Sequence, residues 1–141
     1  MTSRNVPPFR ADHVGSFLRP KELLEARDRH KQGALSKADL RAVEDRAIRD
    51  IVRFQEDLGL QGITDGEFRR TYFHIDFLEQ LDGVETRGGI AASFHGKAGE
   101  VNFAPPVMHV TGKLRHARPI QLEDFNFLKS VTRRVPKVTI P

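Results

Sequence analysis

GITDGEFRR, at residues 62–70, is the stretch from which the fold can be inferred. It opens with a short apolar run that ends at Ile63, and it then places two acids, Asp65 and Glu67, around a glycine. An apolar run that stops at a glycine and acidic residues is typical of a strand that ends in a turn. The glycine between the acids lets the backbone turn sharply and approach a ligand closely. The stretch therefore predicts a short strand whose carboxyl end carries polar groups.

Two helices are predicted immediately before this strand. The first covers residues 21–33, and the second has a capping-box-like start at Ser36 and ends at Gly59. Apolar residues recur along the second helix at steps of three and four; they are Leu40, Val43, Ala47, Ile51, Phe54 and Leu58. Upstream of both helices, residues 9–20 have the pattern of a short strand that ends in a Gly-Ser turn.

The rest of the chain is predicted to hold two more helices and a strand. Helical spacing covers residues 71–83 and 119–131, and residues 133–141 have the pattern of a strand. Between the two helices, residues 84–112 are rich in glycine and contain two consecutive prolines. This composition predicts a loop-rich insertion with one or two strands.

The order of these elements predicts an α/β fold. Strands that alternate with helices form parallel sheets through helical crossovers, but three parallel strands make an incomplete sheet. A closed (β/α)8 barrel takes roughly 250 residues, and this chain has 141. We therefore expect a single partial domain over residues 1–141, namely the amino-terminal part of a (β/α)8 TIM barrel with its first three strands and their helices.

Composition excludes several classes of protein. The absence of cysteine excludes a disulfide framework, a thiolate nucleophile and a thiolate metal site built from this chain alone. No apolar run reaches the length of a signal peptide or a membrane span, so we expect a cytoplasmic protein. The net charge of +4 is concentrated in residues 110–141, which hold seven basic residues against two acidic ones. Because no nucleic-acid motif accompanies them, we expect neither nucleic acid nor a membrane as a partner.

The predicted strand ends indicate a site for an α-amino acid. Ser16 and Glu67 follow the two predicted strands, as does Asp65, and in α/β barrels the carboxyl ends of strands carry the active site. Glu67 can accept hydrogen bonds from a ligand ammonium group, and Ser16 with the N–H groups around Gly15 can donate to a carboxylate. A plainer interpretation is also open. The Gly-Ser pair is a common turn, and the two arginines after Glu67 can pair with acids at the surface.

The histidines indicate no second site. His13 stands next to Asp12 and is a candidate general base, although neighbours in a strand face opposite sides. The other histidines show no HxH or HExxH spacing, and the glycine-rich stretch contains neither a Walker pattern nor a strand-linked GxGxxG motif. No metal site and no phosphate cradle are therefore predicted.

Four stretches together resemble the cobalamin-independent methionine synthases, in particular their short members that match the catalytic barrel. They are ADHVGSFLRP at 11–20, the long helix, ITDGEFRRTYFHIDF at 63–77 and KVTIP at 137–141. The full-length relative is a 5-methyltetrahydropteroyltriglutamate–homocysteine S-methyltransferase. The resemblance implies a (β/α)8 barrel in which zinc, without cobalamin, activates the thiol of homocysteine for attack on the methyl group of methyltetrahydrofolate.

The resemblance also implies roles for individual residues. The VGS stretch matches the family's segment for the homocysteine carboxylate; its residues are Val14, Gly15 and Ser16. Glu67 matches the acid that binds the amino group, while His13 and Asp65 are characteristic of the short relatives. The family's zinc ligands are a His-x-Cys pair, a Glu and another Cys on later strands, and that region has no counterpart in these 141 residues. We therefore expect the chain alone neither to bind zinc tightly nor to transfer methyl groups.

Two other functions stay open at this point. A related enzyme would use the same zinc chemistry to alkylate another thiol such as coenzyme M, and Glu67 would then meet no amino group. A non-catalytic binding or assembly module would instead complete its sheet with another chain. Its unpaired strand edges would then favour a homo-oligomer or strand exchange.

Overall fold

A computed structural model describes residues 6–89, 92–96, 99–104 and 106–141. The described residues form mixed α/β structure, with strands in three two-stranded sheets and no closed barrel. The elements in chain order are α1 (Lys21–Lys31), α2 (Lys37–Asp57), β1 (Gly62–Ile63), α3 (Ile75–Leu78), β2 (Asp82–Arg87), β3 (Ala92–Gly96), β4 (Gly99–Phe103), β5 (Val107–Arg115), α4 (Leu122–Val131) and β6 (Val135–Pro136). Helices in this described part are too short or too polar to span a bilayer.

The chain divides into two compact units. The first contains the residues up to Arg70 together with Leu122–Thr139, and the second contains Thr71–Gln121 with Ile140–Pro141. All of the residues proposed for the amino-acid site belong to the first unit. The predicted insertion at 84–112 falls within the second unit.

The first unit is built on α2, where the sequence-based prediction is confirmed. The hydroxyl of Ser36 accepts a hydrogen bond from the Asp39 N–H at 3.1 Å, which caps the first turn of the helix. The apolar side of α2 packs into a buried cluster shared with α1, α4 and β1; its members are Leu23, Ile48, Val52, Ile63, Phe68 and Leu128. Strand β1 pairs in parallel with β6, with Gly62 opposite Val135. This core fixes the position of the turn that follows β1.

The strand predicted within residues 9–20 does not form, and residues 6–20 contain no strand. A strand needs a ladder of backbone hydrogen bonds with a neighbour. This segment instead lies against β1 through side chains, because a Cβ on Gly62 would lie 3.1 Å from the Asp12 carboxylate and 3.5 Å from the Phe9 ring. The predicted last strand does form, but as the two residues of β6.

In the second unit, the helix predicted over residues 71–83 shrinks to the four residues of α3. The Asp76 carboxylate accepts the N–H groups of Thr71 and Tyr72, at 2.6 and 2.9 Å, and this holds the preceding residues in turns. Gly83, the predicted helix stop, lies inside β2 instead. The regular apolar spacing of this segment was therefore a misleading signal for helix.

The described part of the predicted insertion contains more strand than expected. Strands β2 and β5 pair antiparallel, as do β3 and β4, and the first pair extends beyond residues 84–112 at both ends. Gly83 has φ 81°, and a Cβ there would lie 2.8 Å from the Lys113 carbonyl oxygen. The register shifts between Asp82 and Val84, so the glycine serves a bulge in a strand. The glycine-rich composition of residues 84–112 was interpreted as loop, whereas the described part of this stretch pairs as strands.

Candidate functional site

The VGS and DGE stretches meet in the first unit. The Phe17 N–H donates to the Gly66 carbonyl at 3.1 Å, which joins the segment after Ser16 to the turn after β1. Gly15 has φ 90°, a left-handed conformation that disfavours other residues. The structure thus brings together two segments that lie about fifty positions apart in the sequence.

The turn after β1 is unusual because two successive residues are left-handed. Gly66 has φ 71° and Glu67 has φ 56°. A left-handed conformation costs a residue with a side chain roughly 1–2 kcal/mol, so other contacts have to stabilise Glu67. The Asp65 carboxylate accepts the Glu67 N–H at 2.9 Å, and the Thr64 hydroxyl accepts the Gly66 N–H at 3.2 Å. Asp65 thus supports the backbone of the turn.

Gln55 of α2 holds the start of this turn through two hydrogen bonds to Thr64. Its amide nitrogen donates to the Thr64 carbonyl at 2.8 Å, and its amide oxygen accepts the Thr64 N–H at 3.0 Å. The Gln55 side chain is fully buried, so both hydrogen bonds are shielded from water. A buried glutamine that pairs with both backbone groups of one residue acts like an additional strand at that position.

Glu67 itself is nearly buried and faces a cation. Its carboxylate lies 3.7 Å from Nη1 of Arg70, and only 12% of its side chain is exposed. Nη2 of Arg70 donates in turn to the carbonyl of Thr139, just beyond β6. The arrangement holds a negatively charged group at the turn, where it can accept hydrogen bonds from a cationic ligand.

The other predicted site residues lie on the facing segment. Val14 and Ser16 are exposed, and Gly15 is half-buried. His13 places Nε2 2.9 Å from the Gly15 carbonyl oxygen, and its ring stacks on Phe17 with the centroids 3.8 Å apart. The side chain of His13 therefore fixes the loop that presents the VGS stretch.

His13 and Asp12 do not pair as a general base with an orienting acid. The Asp12 carboxylate instead accepts a hydrogen bond from the Lys137 ammonium group at 2.7 Å, and the same ammonium group donates to the His13 carbonyl. Lys137 therefore ties this segment to the residues after β6. The sequence gives no sign of this contact, because the partners lie more than 120 positions apart.

Two arginines that sequence reasoning missed surround the Glu67 turn. Arg19 donates to the carbonyls of Glu67 and Arg70, and Arg27 donates to those of Phe68 and Arg70. Both lie in or just before α1, where they follow the VGS stretch. Their side chains point to backbone carbonyls that no sequence pattern can identify.

The suggestion that Arg69 and Arg70 pair with acids at the surface is wrong. The Arg69 side chain is only 5% exposed, and its guanidinium group lies between acids of α2 and α4 and over the Phe127 ring. The acids are Glu44, Asp45 and Asp124. Burial raises the pKa of Glu44 above its usual value, although the neighbouring Arg69, Arg27 and Arg41 act to lower it. This cluster joins α2 to α4 through Arg69, so its role is structural.

The described residues do not fit a zinc ion. No three His, Cys, Asp or Glu side chains come together in the described ranges in a way that could hold a metal, and cysteine is absent from the whole sequence. Zinc in proteins takes four ligands, or three with an open position for water or substrate. No reaction step can therefore be assigned to zinc on residues of this chain.

Comparison with known proteins identifies the family. The family model described as "Cobalamin-independent synthase, Catalytic domain" matches residues 9–138. The uncharacterized protein YxjH of Bacillus subtilis (strain 168) is 43% identical, over 95% of this chain and 35% of that protein. The 5-methyltetrahydropteroyltriglutamate–homocysteine methyltransferase of Thermotoga maritima is 28% identical, over 94% of this chain and 17% of its own length.

A solved structure from Listeria monocytogenes is also similar. It is provisionally assigned as a vitamin-B12-independent methionine synthase, with a TM-score of 0.75 and 40% identity, and the match covers 98% of this chain and 37% of that one. The chain thus spans about a third of two of these relatives and less of the third.

Proposed function

Because the chain belongs to the cobalamin-independent methionine synthase family, we propose that it carries the homocysteine-binding half of an S-methyltransferase. The reaction transfers a methyl group from 5-methyltetrahydrofolate, in its polyglutamate form, to the thiol of homocysteine and gives methionine. The name of the Thermotoga relative supports these substrates. This reaction is proposed for the whole protein to which such a chain would belong, since the chain spans only a fraction of the length of its relatives.

The proposed amino-acid site has two parts. Val14, Gly15 and Ser16 bind the carboxylate of homocysteine, and Glu67 binds its amino group. The observation that carries this proposal is the hydrogen bond from the Phe17 N–H to the Gly66 carbonyl, because it holds the two stretches side by side. Asp65 and His13 support the loops on either side of the site.

We expect Glu67 to make the site bind a ligand with an amino group more tightly than a ligand without one. We would titrate the chain with homocysteine and with 4-mercaptobutanoate, which has the same carboxylate and thiol but no amino group. Glu67→Gln is expected to weaken homocysteine binding about tenfold, because a charged hydrogen bond is lost. The same substitution should leave 4-mercaptobutanoate binding unchanged.

Glu25→Gln is the matched control, since Glu25 is an exposed glutamate of α1 that pairs with Lys21 at 3.4 Å. Equal affinity of wild type and Glu67→Gln for homocysteine would rule out the proposed contact. Tighter binding of coenzyme M than of homocysteine would favour the related alkyltransferase instead.

Zinc would lower the thiol pKa and so supply the nucleophile in the proposed reaction. Because the described residues bring no three metal-ligating side chains together, the isolated 141-residue chain is expected to retain no stoichiometric zinc after dialysis and to show no methyl transfer. Metal analysis and a methionine assay check this together. One zinc per chain with measurable turnover would contradict it.

A further inference from the structure

Arg19 bridges both ends of a second turn, formed by residues 67–70, which begins with Glu67 and is the turn meant below. A single guanidinium nitrogen, Nη2, donates to the Glu67 carbonyl at 2.9 Å and to the Arg70 carbonyl at 2.7 Å. The Arg70 N–H donates to that same Glu67 carbonyl at 3.2 Å and so closes the turn. One cation therefore contacts the first and the last residue of the turn at once.

The turn depends on such contacts because Glu67 has φ 56°. A residue with a side chain persists in this region only where its surroundings over-determine it. Arg27 also donates to the Phe68 carbonyl at 2.6 Å and to the Arg70 carbonyl at 3.0 Å. Three of the four carbonyls in the turn are thus held by guanidinium groups.

We propose that Arg19 is a positioning residue, which holds the Glu67 backbone in its left-handed conformation and so keeps the Glu67 carboxylate aimed at the ligand's amino group. This inference rests on the proposed function for the identity of the ligand. Arg19 donates to the carbonyl of Glu67, so it acts through the backbone of Glu67 and does not need to touch the substrate. Arg19 is itself half-buried, and its Nε atom is buried.

A first experiment needs no ligand. Amide hydrogen exchange would be followed by NMR in wild type, Arg19→Met and Arg19→Lys, with the Thr64 amide as an internal reference because Gln55 holds it. Arg19→Met should speed exchange of the Arg70 amide about tenfold relative to the Thr64 amide, since the bridge across the turn is lost. Arg19→Lys keeps a cationic donor and should give an intermediate value.

Arg29→Met is the matched control, because Arg29 is exposed on α1. It should leave exchange of both amides unchanged. An Arg70 amide that exchanges at the wild-type rate in Arg19→Met would overturn the proposal, whatever the ligand. If Arg19→Met does not fold, the intermediate rate of Arg19→Lys decides the same question.

A second experiment links Arg19 to Glu67 through a double-mutant cycle. Arg19→Met should weaken homocysteine binding about tenfold and leave 4-mercaptobutanoate binding unchanged. In a Glu67→Gln background it should have no further effect, because the carboxylate that it positions is already absent. Equal losses for both ligands, or a full loss in the Glu67→Gln background, would overturn the positioning role.

The two experiments separate this inference from the proposed function. If Glu67→Gln alone leaves homocysteine binding unchanged, the proposed amino contact fails, and the exchange data still test whether Arg19 holds the turn. If Glu67→Gln weakens binding and Arg19→Met does not, the proposed contact stands and the positioning role of Arg19 is wrong.

Discussion

Gly66 is left-handed with φ 71°, and it also lacks room for a side chain. A Cβ there would lie 3.0 Å from Cε1 of Phe68, whose ring is buried and has little space to move. Gly66→Ala should therefore lower the free energy of unfolding by about 2 kcal/mol, from backbone strain and crowding together. Urea denaturation followed by circular dichroism measures this change.

Two other glycines serve as controls for this substitution. Gly33 has φ 74° with no atom of the described residues within 4 Å of an added Cβ, so Gly33→Ala tests backbone strain alone. Gly88 has no left-handed φ and no described atom within 4 Å of an added Cβ, and Gly88→Ala should change stability by less than about 0.5 kcal/mol. The expected order of destabilisation is Gly66, then Gly33, then Gly88. An equal loss at Gly66 and Gly33 would show that the Phe68 ring yields freely.

At the scale of residues, the sequence predicted the types of group in the candidate site better than their partners. Glu67 and the glycine before it were identified from their place after an apolar run, and the structure brings them to the VGS stretch. The partners of Arg69 escaped prediction because Asp45 and Asp124 lie 24 and 55 positions away. A local pattern contains no information on such distant pairs, and whether a charge is buried depends on them.

At the scale of elements, predictions held where local signals agreed with packing. Helix α2 combines a capping residue, Ser36, with an apolar stripe along its length, so local preference and burial favour the same structure. The segment around α3 shows the same spacing over fewer residues, but the Asp76 carboxylate stabilises turns there. The strand predicted before α1 failed for another reason, because a strand depends on a neighbour that periodicity does not specify.

Two glutamates of α2 should give this helix opposite responses to pH. Burial raises the pKa of Glu44 above 4.5, so its folded state binds a proton more tightly than its unfolded state. Its contribution to stability is present below 4.5 and is lost as the pH rises through the raised pKa. Burial alone would also raise the pKa of Glu56, but hydrogen bonds from the Arg133 N–H and the Thr132 hydroxyl, both at 2.8 Å, lower it below 4.5 overall.

The contribution of Glu56 is therefore present above 4.5 and is lost as the pH falls through its lowered pKa. Urea denaturation between about pH 3 and pH 8 would be compared for wild type, Glu44→Gln and Glu56→Gln. The stability difference between wild type and Glu44→Gln should shift against wild type as the pH rises. The difference between wild type and Glu56→Gln should shift in favour of wild type. Parallel curves for both variants would contradict the assigned shifts.

At the scale of the whole molecule, the sequence correctly predicted a mixed α/β fold, while its place in a barrel stays a proposal. Strands β1 and β6 are parallel, and the chain between them includes α4. This arrangement supports the view that residues 1–141 are the amino-terminal part of a (β/α)8 barrel with an insertion at about 84–112. Two parallel strands are too few to form such a sheet unaided, because parallel sheets are normally covered on both faces.

The pair of β1 and β6 should therefore make the isolated chain associate with further copies. Light scattering coupled to size-exclusion chromatography would measure the mass over about a hundredfold range of concentration. We expect the mass to rise above 16.0 kDa as concentration increases.

Two valine variants test whether the β1–β6 sheet is the surface that associates. Val138 follows β6 and is 38% exposed, so Val138→Lys should reduce association by placing a charge beside the β1–β6 sheet. Val107→Lys is the control, since Val107 is 39% exposed but belongs to the separate sheet of β2 and β5. A constant mass of 16.0 kDa at every concentration would contradict self-association and would show that the two-stranded sheet of β1 and β6 is stable without a second copy of the chain.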